Sequence, residues 1–270
     1  ARRAVLERFG PVLAPRVSFL RTAQLGVDGG AAGWRSQQAA KLLVARRIST
    51  PHYVILDAKN HLIGPAGADD FVDATGAARG GTHSYAVHPL RESLERTLRH
   101  LGADDEAVDR LVADFPRTVT PFVVDTALAR RMMDDIEREA REPFADAFER
   151  AGLLEFFLYS GWCLLRGPGS PVNGDTIPAP ILWPAHATED GAADAIREAT
   201  ETGAAWFAVH RRALARADAP TRRRIMRLWS DRGLMTPAEA TRFVRRFRLA
   251  YAPATGRARL GRRLSRLGHR

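Results

Sequence analysis

The stretch WRSQQAAKLLVARRISTPHYVILDAKN, residues 34–60, decides the fold class of this 270-residue chain. Its first part, residues 34–48, contains neither glycine nor proline and predicts a helix. Thr50-Pro51 ends that helix, because a proline disfavours helical backbone at the residue before it. The apolar, β-branched residues 52–56 predict a buried strand that ends at Asp57. A helix, a short loop and a strand in this order indicate an α/β protein.

The rest of the chain extends this pattern into a helix-rich α/β fold. We predict further strands at 17–20, 119–124, 181–183 and 205–209. Helices are predicted at 1–10, 89–101, 104–114, 126–141 and 155–165. A further helix follows Pro143 and runs to about residue 151, and the chain from residue 211 onward is also predicted to be helical. The expected architecture is a three-layer sandwich with a mixed, partly parallel sheet. Since such sheets usually begin with strand, helix and strand, we expect an upstream piece of this kind to be missing from the chain.

Composition excludes several classes of protein. Hydrophobic residues make up 45% and charged residues 27%, which is typical of a folded globular chain and not of a disordered one. No run of apolar residues approaches the roughly 18 that a membrane span needs. The single cysteine, Cys163, excludes an intramolecular disulfide and a cysteine metal cluster, and it favours a reducing cytoplasm.

The positive charge is concentrated at one end. Residues 211–270 contain 18 arginines and three acidic residues, whereas residues 1–210 carry a net charge of −5. We therefore predict an α/β domain at 1–210 and an Arg-rich helical tail at 211–270 that packs on it. Apolar residues at helical spacing in this tail predict peripheral contact with an anionic membrane surface. The alternatives are a solvated face with ordinary core packing, and nucleic-acid binding without a recognised module.

Common catalytic motifs are absent from the sequence. It contains no G-x-G-x-x-G, no P-loop, no H-E-x-x-H, no G-x-S-x-G and no C-x-x-C. These absences argue against the usual dinucleotide enzymes, P-loop NTPases, zinc proteases and serine hydrolases.

Three polar residues share one face of the 34–48 helix with Trp34. On a helical wheel Gln37, Gln38 and Lys41 fall beside Trp34, and we expect this face to point inward. Buried amide and ammonium groups need partners, which an acid or a ligand phosphate would supply. The alternative is that the glutamines brace loops while Lys41 reaches the surface. Asp57, at a strand end, is either a turn former or a ligand-binding residue.

The order Gly33-Trp34-x-x-Gln37-Gln38-x-x-Lys41-Leu42, followed by Tyr53-Val54-Ile55-Leu56-Asp57-Ala58, resembles an uncharacterised bacterial family of glycosyltransferase-like proteins. That family is similar to the GT-A, Rossmann-like fold of nucleotide-diphospho-sugar transferases. Looser similarities at 120–123, 155–159 and 207–211 extend the resemblance to about residues 15–235.

The resemblance implies a donor site around Asp57. Asp57 matches the first residue of an Asp-x-Asp motif that holds Mg²⁺ or Mn²⁺, but Lys59 stands where the second Asp would be. An ammonium group repels a metal and can bind phosphate itself. Either the protein works without a metal, with Lys59 neutralising the leaving diphosphate, or it has lost activity. Lys41 would also meet the phosphates.

Further roles follow from the same resemblance. Trp34, Gln37, Gln38 and Asn60 would shape the donor site. Glu155 would be the base that deprotonates the acceptor hydroxyl, or alternatively the cap of its own helix. His210 would touch the diphosphate or a metal, or it is an ordinary strand-end histidine. Asp125 is predicted to be a helix N-cap.

The predicted function is that of a cytoplasmic glycosyltransferase, lying at the inner face of the membrane. It would move a sugar from a nucleotide sugar to a hydroxyl of a cell-envelope glycan or of a lipid-linked acceptor. The alternatives are a non-catalytic relative that binds nucleotides or glycans, and a basic nucleic-acid-binding protein. We expect the amines of Lys41 and Lys59 to serve one pyrophosphate pocket.

Overall fold

The computed structural model describes residues 2–27 and 34–251 and confirms the α/β class. The helices are α1 (Arg2–Leu13), α2 (Trp34–Leu43), α3 (Arg91–His100), α4 (Asp105–Ala113), α5 (Thr126–Ala140), α6 (Phe144–Arg150), α7 (Glu155–Arg166), α8 (Glu189–Glu201), α9 (Arg211–Arg216), α10 (Ala219–Asp231) and α11 (237–251). The strands are β1 (His52–Ile55), β2 (Asn60–Leu62), β3 (Thr82–His83), β4 (Phe115–Pro116), β5 (Phe122–Asp125), β6 (Ile181–Leu182) and β7 (Trp206–Val209).

The chain folds into two compact units, each made of several segments. Unit 1 comprises Ala1–Ile55, Thr75–Thr118 and Val123–Asp175. Unit 2 comprises Leu56–Ala74, Val119–Phe122 and Thr176–Arg270. The sequence places a division at residue 210, whereas the structure groups α9, α10 and α11 with strands β2, β6 and β7 in unit 2.

Unit 1 is built around helix α7. Every residue from Glu155 to Cys163 is buried, as expected of a helix that is apolar on nearly all sides. Helices α3 and α4 are amphipathic, and their apolar faces pack with Tyr85, Phe115 and Phe157 in one core cluster. Strands β1 and β5 pair with each other, and β3 pairs antiparallel with β4.

Helix α5 begins where the sequence predicts. The carboxylate of Asp125 accepts a hydrogen bond from Leu128 N at 2.8 Å, which confirms the predicted N-cap. The backbone N–H of Asp125 donates to the hydroxyl of Tyr159 at 2.9 Å. Tyr159 is fully buried, and burial raises the pKa of its hydroxyl well above the ordinary value of 10.0. This hydroxyl therefore ties α7 to the start of α5.

The variant Tyr159→Phe is expected to lower the free energy of unfolding by about 1–2 kcal/mol, because the Asp125 N–H loses its acceptor in a buried setting. Urea denaturation of the variant beside the wild type measures the change. A loss below about 0.3 kcal/mol would show that this hydrogen bond does not hold the two helices together.

Unit 2 contains a small mixed sheet covered by arginine-rich helices. Strand β7 lies in the centre, parallel to β6 and antiparallel to β2. The apolar residues of α10, namely Ile225, Leu228 and Trp229, are buried against Phe207 of β7. Arg223, Arg224 and Arg227 of α10 are exposed, whereas its apolar residues supply core packing. The tail residues after 251 lie outside the described part of the chain.

The structure corrects several sequence-based assignments. Residues 17–20 form no strand, because the short alternation there has no neighbouring strand to pair with in the described chain. Strands β2, β3 and β4 have only two or three residues, too few for a recognisable alternation, and the sequence did not predict them. Helix α8 was also missed, although Thr188 caps it through a hydrogen bond from Gly191 N.

In the described residues, no helix combines the length and the apolar character needed to cross a bilayer.

Candidate functional site

Strands β6 and β7 end at the same edge of the unit 2 sheet. They are parallel, with Leu182 opposite Val209, so Trp183 and His210 follow them side by side. Strand β2 is antiparallel and begins at this edge, with Asn60 opposite Ala208. In open α/β sheets ligands bind beyond the carboxyl ends of parallel strands. The edge is therefore the place in unit 2 where a site is expected.

Residues 57–60 and the distant Thr120 bring four polar side chains together at this edge. We call Asp57, Lys59, Asn60 and Thr120 the edge cluster. The ammonium of Lys59 pairs with the carboxylate of Asp57 and donates to Thr120 Oγ1 at 3.2 Å. Thr120 Oγ1 lies 3.3 Å from Asp57 Oδ2, within hydrogen-bond distance. One cation, one carboxylate and two neutral groups therefore share a single network.

Asn60 fixes the geometry of this network. Its side-chain oxygen accepts from Asp57 N at 2.9 Å and from Thr120 Oγ1 at 2.8 Å, while its amide donates to Thr120 O at 2.9 Å. The backbone oxygen of Lys59 accepts from Val209 N at 3.2 Å, which anchors the loop to β7. Because Thr120 is buried and Lys59 only 19% exposed, the ammonium has little freedom to move away. The edge cluster is thus preorganised.

His210 lies at the same edge in its neutral form. Burial, and then the positive charges of Arg212, Lys59 and Arg211, lower the pKa of His210 below its usual 6.5. Its Nδ1 accepts a hydrogen bond from Arg212 N at 3.1 Å, so the remaining ring proton is on Nε2. This N–H is available as a donor to a ligand oxygen.

Trp183 gives the edge an aromatic surface. Its ring centroid lies 5.6 Å from that of His210, with an angle of 35° between the planes. Trp183 is 40% exposed, so part of its ring is accessible to a ligand. An exposed ring beside polar groups can stack against a nucleobase or the apolar face of a sugar.

The edge cluster does not fit a divalent metal. Mg²⁺ and Mn²⁺ prefer several oxygen ligands, of which carboxylates are the strongest. Asp57 is the single carboxylate of the cluster and is ion-paired to Lys59. Within the described chain, no group of three or more His, Cys, Asp or Glu side chains is placed to hold a metal. We therefore assign no metal-dependent step to Asp57.

A second polar cluster lies in unit 1. Lys41 Nζ lies 3.0 Å from Glu155 Oε1, and the two side chains are 24% and 8% exposed. The same ammonium lies 5.2 Å from the centre of the Phe156 ring. With the Gln38 amide nitrogen facing Glu155, it donates to Oε2 at 2.6 Å, and its oxygen accepts from Trp34 Nε1 at 3.3 Å. Lys41 and Glu155 form what we call the buried ion pair.

The orientation of α2 corrects the helical-wheel prediction. Gln38 is buried as expected, but Gln37 is exposed and Trp34 is 63% exposed. The helix instead buries Ser36, Ala39, Leu42 and Leu43. Their arc is centred about 150° from Trp34 around the helix, because the apolar side chains, not the tryptophan, direct the helix towards the core.

Glu155 is the first residue of α7 and not its cap. The N-cap position is held by Leu154, whose side chain makes no capping hydrogen bond. A carboxylate in the first turn still interacts favourably with the helix dipole. That Glu155 acts as a base remains a prediction.

The two lysines belong to different units and have different carboxylate partners, Glu155 for Lys41 and Asp57 for Lys59. That both amines serve one pocket stays a prediction.

Sequence reasoning gave no role to Thr120 or Trp183. Thr120 is 60 residues from Asn60 in the chain, so no local pattern links them. Trp183 did carry a signal, since it directly follows a short predicted strand, where ligand-binding residues are expected.

The fold and the edge cluster define an α/β protein with a polar, ion-paired site at the carboxyl ends of two parallel strands. Residues 18–212 match a family of unknown function (DUF6492), and the chain belongs to this family. No curated protein and no solved structure matches the chain.

Proposed function

We propose that this protein is a GT-A-like glycosyltransferase, which moves a sugar from a nucleotide-sugar donor to a hydroxyl acceptor. The observation that carries the proposal is the preorganised ammonium of Lys59 at the carboxyl edge of the unit 2 sheet. The sequence resemblance to glycosyltransferase-like proteins, centred on residues 33–58, also supports this proposed activity.

The chemistry of glycosyl transfer needs positive charge at the leaving group. As the bond between the sugar carbon and the diphosphate oxygen breaks, negative charge develops on the diphosphate. A fixed ammonium group stabilises this charge without reorganisation, in the way a divalent metal does in other transferases. The Nε2–H of His210 can donate to a second phosphate oxygen, and the ring of Trp183 can stack on the donor.

Asp57 would hold Lys59 in place rather than bind a metal. Its carboxylate and the Thr120 hydroxyl both contact the ammonium, which leaves the third N–H direction of Lys59 for a phosphate oxygen. In this proposal the acceptor hydroxyl attacks the sugar carbon, and its proton passes to a general base.

Release of nucleoside diphosphate from a panel of nucleotide sugars tests this function. We expect at least one donor to be turned over in the presence of an acceptor, with a rate that EDTA does not change. Lys59→Met should reduce kcat/KM at least tenfold, because the developing charge loses its counter-charge.

The matched control for this experiment is Arg197→Gln on α8. It removes one positive charge from the same unit, at an exposed side chain that does not belong to the edge cluster. It should leave turnover unchanged. Equal losses in Lys59→Met and Arg197→Gln, or strict dependence on Mn²⁺, would contradict the proposal.

A non-catalytic nucleotide-sugar-binding protein is the second candidate. The ion pair between Lys59 and Asp57 favours it, because Lys59 stands where the related motif has a carboxylate. Calorimetry that detects nucleotide-sugar binding weakened by Lys59→Met, together with no turnover of any donor, would establish this candidate instead.

A further inference from the structure

Residues of helices α9, α10 and α11 of unit 2 line an open pocket of about 990 Å³. This volume is at the upper end of the range of small-molecule sites. Four arginines line it: Arg216, Arg222, Arg245 and Arg248. Among the described residues that line the pocket there is no aspartate or glutamate. We call it the arginine pocket.

The positive charges of Arg222 and Arg248 repel each other. Burial, and then the charge of Arg248, lower the pKa of Arg222, while Asp218 acts in the opposite direction. Arg222 is also held by a hydrogen bond to the backbone oxygen of Ala217, so it cannot easily turn away. Like charges held close together raise the free energy of the empty pocket, and a bound dianion would relieve that repulsion.

Part of the pocket lining is apolar. Met226, Val244 and Leu249 contribute apolar surface, and Leu249 is 65% exposed. Thr241 and Tyr251 are the two uncharged hydroxyl-bearing side chains among the described lining residues. A nucleobase would require several hydrogen-bonding groups here, whereas an alkyl chain requires only apolar surface. The lining therefore favours a ligand with a charged head and an apolar chain.

We propose that the arginine pocket binds a phosphate monoester that carries an apolar chain. Guanidinium groups bind phosphate oxygens through paired hydrogen bonds, so two or three of these arginines can surround one phosphate. The chain would lie against Met226, Val244 and Leu249, removing their apolar surface from water. This inference is independent of the proposed glycosyl transfer.

Calorimetric titration of the full chain with n-octyl phosphate tests the proposal. Methyl phosphate serves as the ligand without a chain, and n-octyl glucoside as the ligand without a charge. We expect n-octyl phosphate to bind at least tenfold more tightly than either. Equal affinity for methyl phosphate or for n-octyl glucoside would overturn the proposal, because one half of the ligand would then not be recognised.

The double variant Arg245→Gln/Arg248→Gln locates the site. Both side chains are exposed, so their replacement should not disturb folding, which circular dichroism can verify. We expect the affinity for n-octyl phosphate to fall at least tenfold. The matched control is Arg227→Gln/Arg232→Gln, which removes two exposed positive charges outside the pocket lining and should change the affinity less than twofold. Equal losses in the two double variants would overturn the proposal, since general charge attraction would explain them.

Vesicle sedimentation distinguishes the source of the phosphate. If vesicles containing phosphatidic acid bind the wild type and the Arg227→Gln/Arg232→Gln control but not Arg245→Gln/Arg248→Gln, the ligand is a membrane lipid headgroup. If the two double variants differ in affinity for dispersed n-octyl phosphate but not in binding to the vesicles, the ligand is a soluble phosphate ester. Either result supports the proposal. If the two double variants behave alike in both assays, the proposal is overturned.

Discussion

Replacing Lys41 by alanine is expected to lower the free energy of unfolding by about 3 kcal/mol. The substitution leaves the carboxylate of Glu155, which is 8% exposed, without its ammonium partner at 3.0 Å. Removing one member of a buried ion pair typically costs about 3–5 kcal/mol, because the remaining charge stays desolvated. The partial exposure of Lys41 places the expected value at the lower end of that range.

Two further variants isolate the ion pair in this experiment. Arg99→Ala deletes the cation of an exposed ion pair with Asp105, at 3.2 Å, and should cost less than about 1 kcal/mol. In Lys41→Met/Glu155→Gln neither side chain is charged, and the amide introduced in place of the Glu155 carboxylate can still bond to Gln38. This double variant should be more stable than Lys41→Ala. Equal losses for Lys41→Ala and Arg99→Ala in chemical denaturation would show that the carboxylate is not effectively buried.

Acidification from pH 6.5 to pH 4 is expected to remove about 2–3 kcal/mol of stability through His61 alone. Burial lowers the pKa of His61 from 6.5 to about 4 in the folded protein. Between these two values the unfolded chain binds a proton that the folded chain does not, so stability falls as the pH decreases. Each unit of pKa difference corresponds to about 1.4 kcal/mol.

The contacts of His61 explain why it stays neutral. Trp229 Nε1 donates to His61 Nδ1 at 3.3 Å, and the rings meet edge to face at 5.3 Å. An indole N–H can only donate, so Nδ1 must carry its lone pair in the folded state. Protonation of Nδ1 would place two N–H groups against each other inside unit 2.

Denaturation of the wild type and His61→Gln at pH values from 4 to 7 measures this effect. Glutamine can accept the hydrogen bond from Trp229 but does not titrate. We expect the unfolding free energy of the wild type to fall by about 2–3 kcal/mol relative to that of His61→Gln as the pH decreases from 7 to 4. The other histidines contribute equally to both proteins. A difference that stays constant with pH would contradict the assignment.

Local features of the fold could be predicted from the sequence because their causes are local. The helix of residues 34–43 and the strand of residues 52–55 follow from the absence of breakers and from a β-branched run. Asp125 caps α5 through a residue three positions away. The very short strands could not be predicted in this way, since Asn60–Leu62 forms a strand only because β7 lies beside it.

The candidate site was predicted in part. Asp57, Lys59 and Asn60 are close in sequence and do form one cluster, because a loop before a strand keeps such residues together. The orientation of α2 was not predictable from polar positions, since Leu42 and Leu43 determine which side faces the core. For the arginine pocket, the sequence showed only the excess positive charge of residues 211–270 and did not indicate which arginines come together.

The α/β class, the Asp125 N-cap and the positions of both lysines beside predicted secondary structure follow from the amino-acid pattern alone. The partners of the lysines depend on packing between distant segments, since Glu155 lies 114 residues from Lys41 and Thr120 lies 61 residues from Lys59. The physical reason is that helix propensity, capping and turn formation act over a few residues. Burial of a charge instead depends on which distant segments the packed core brings to it.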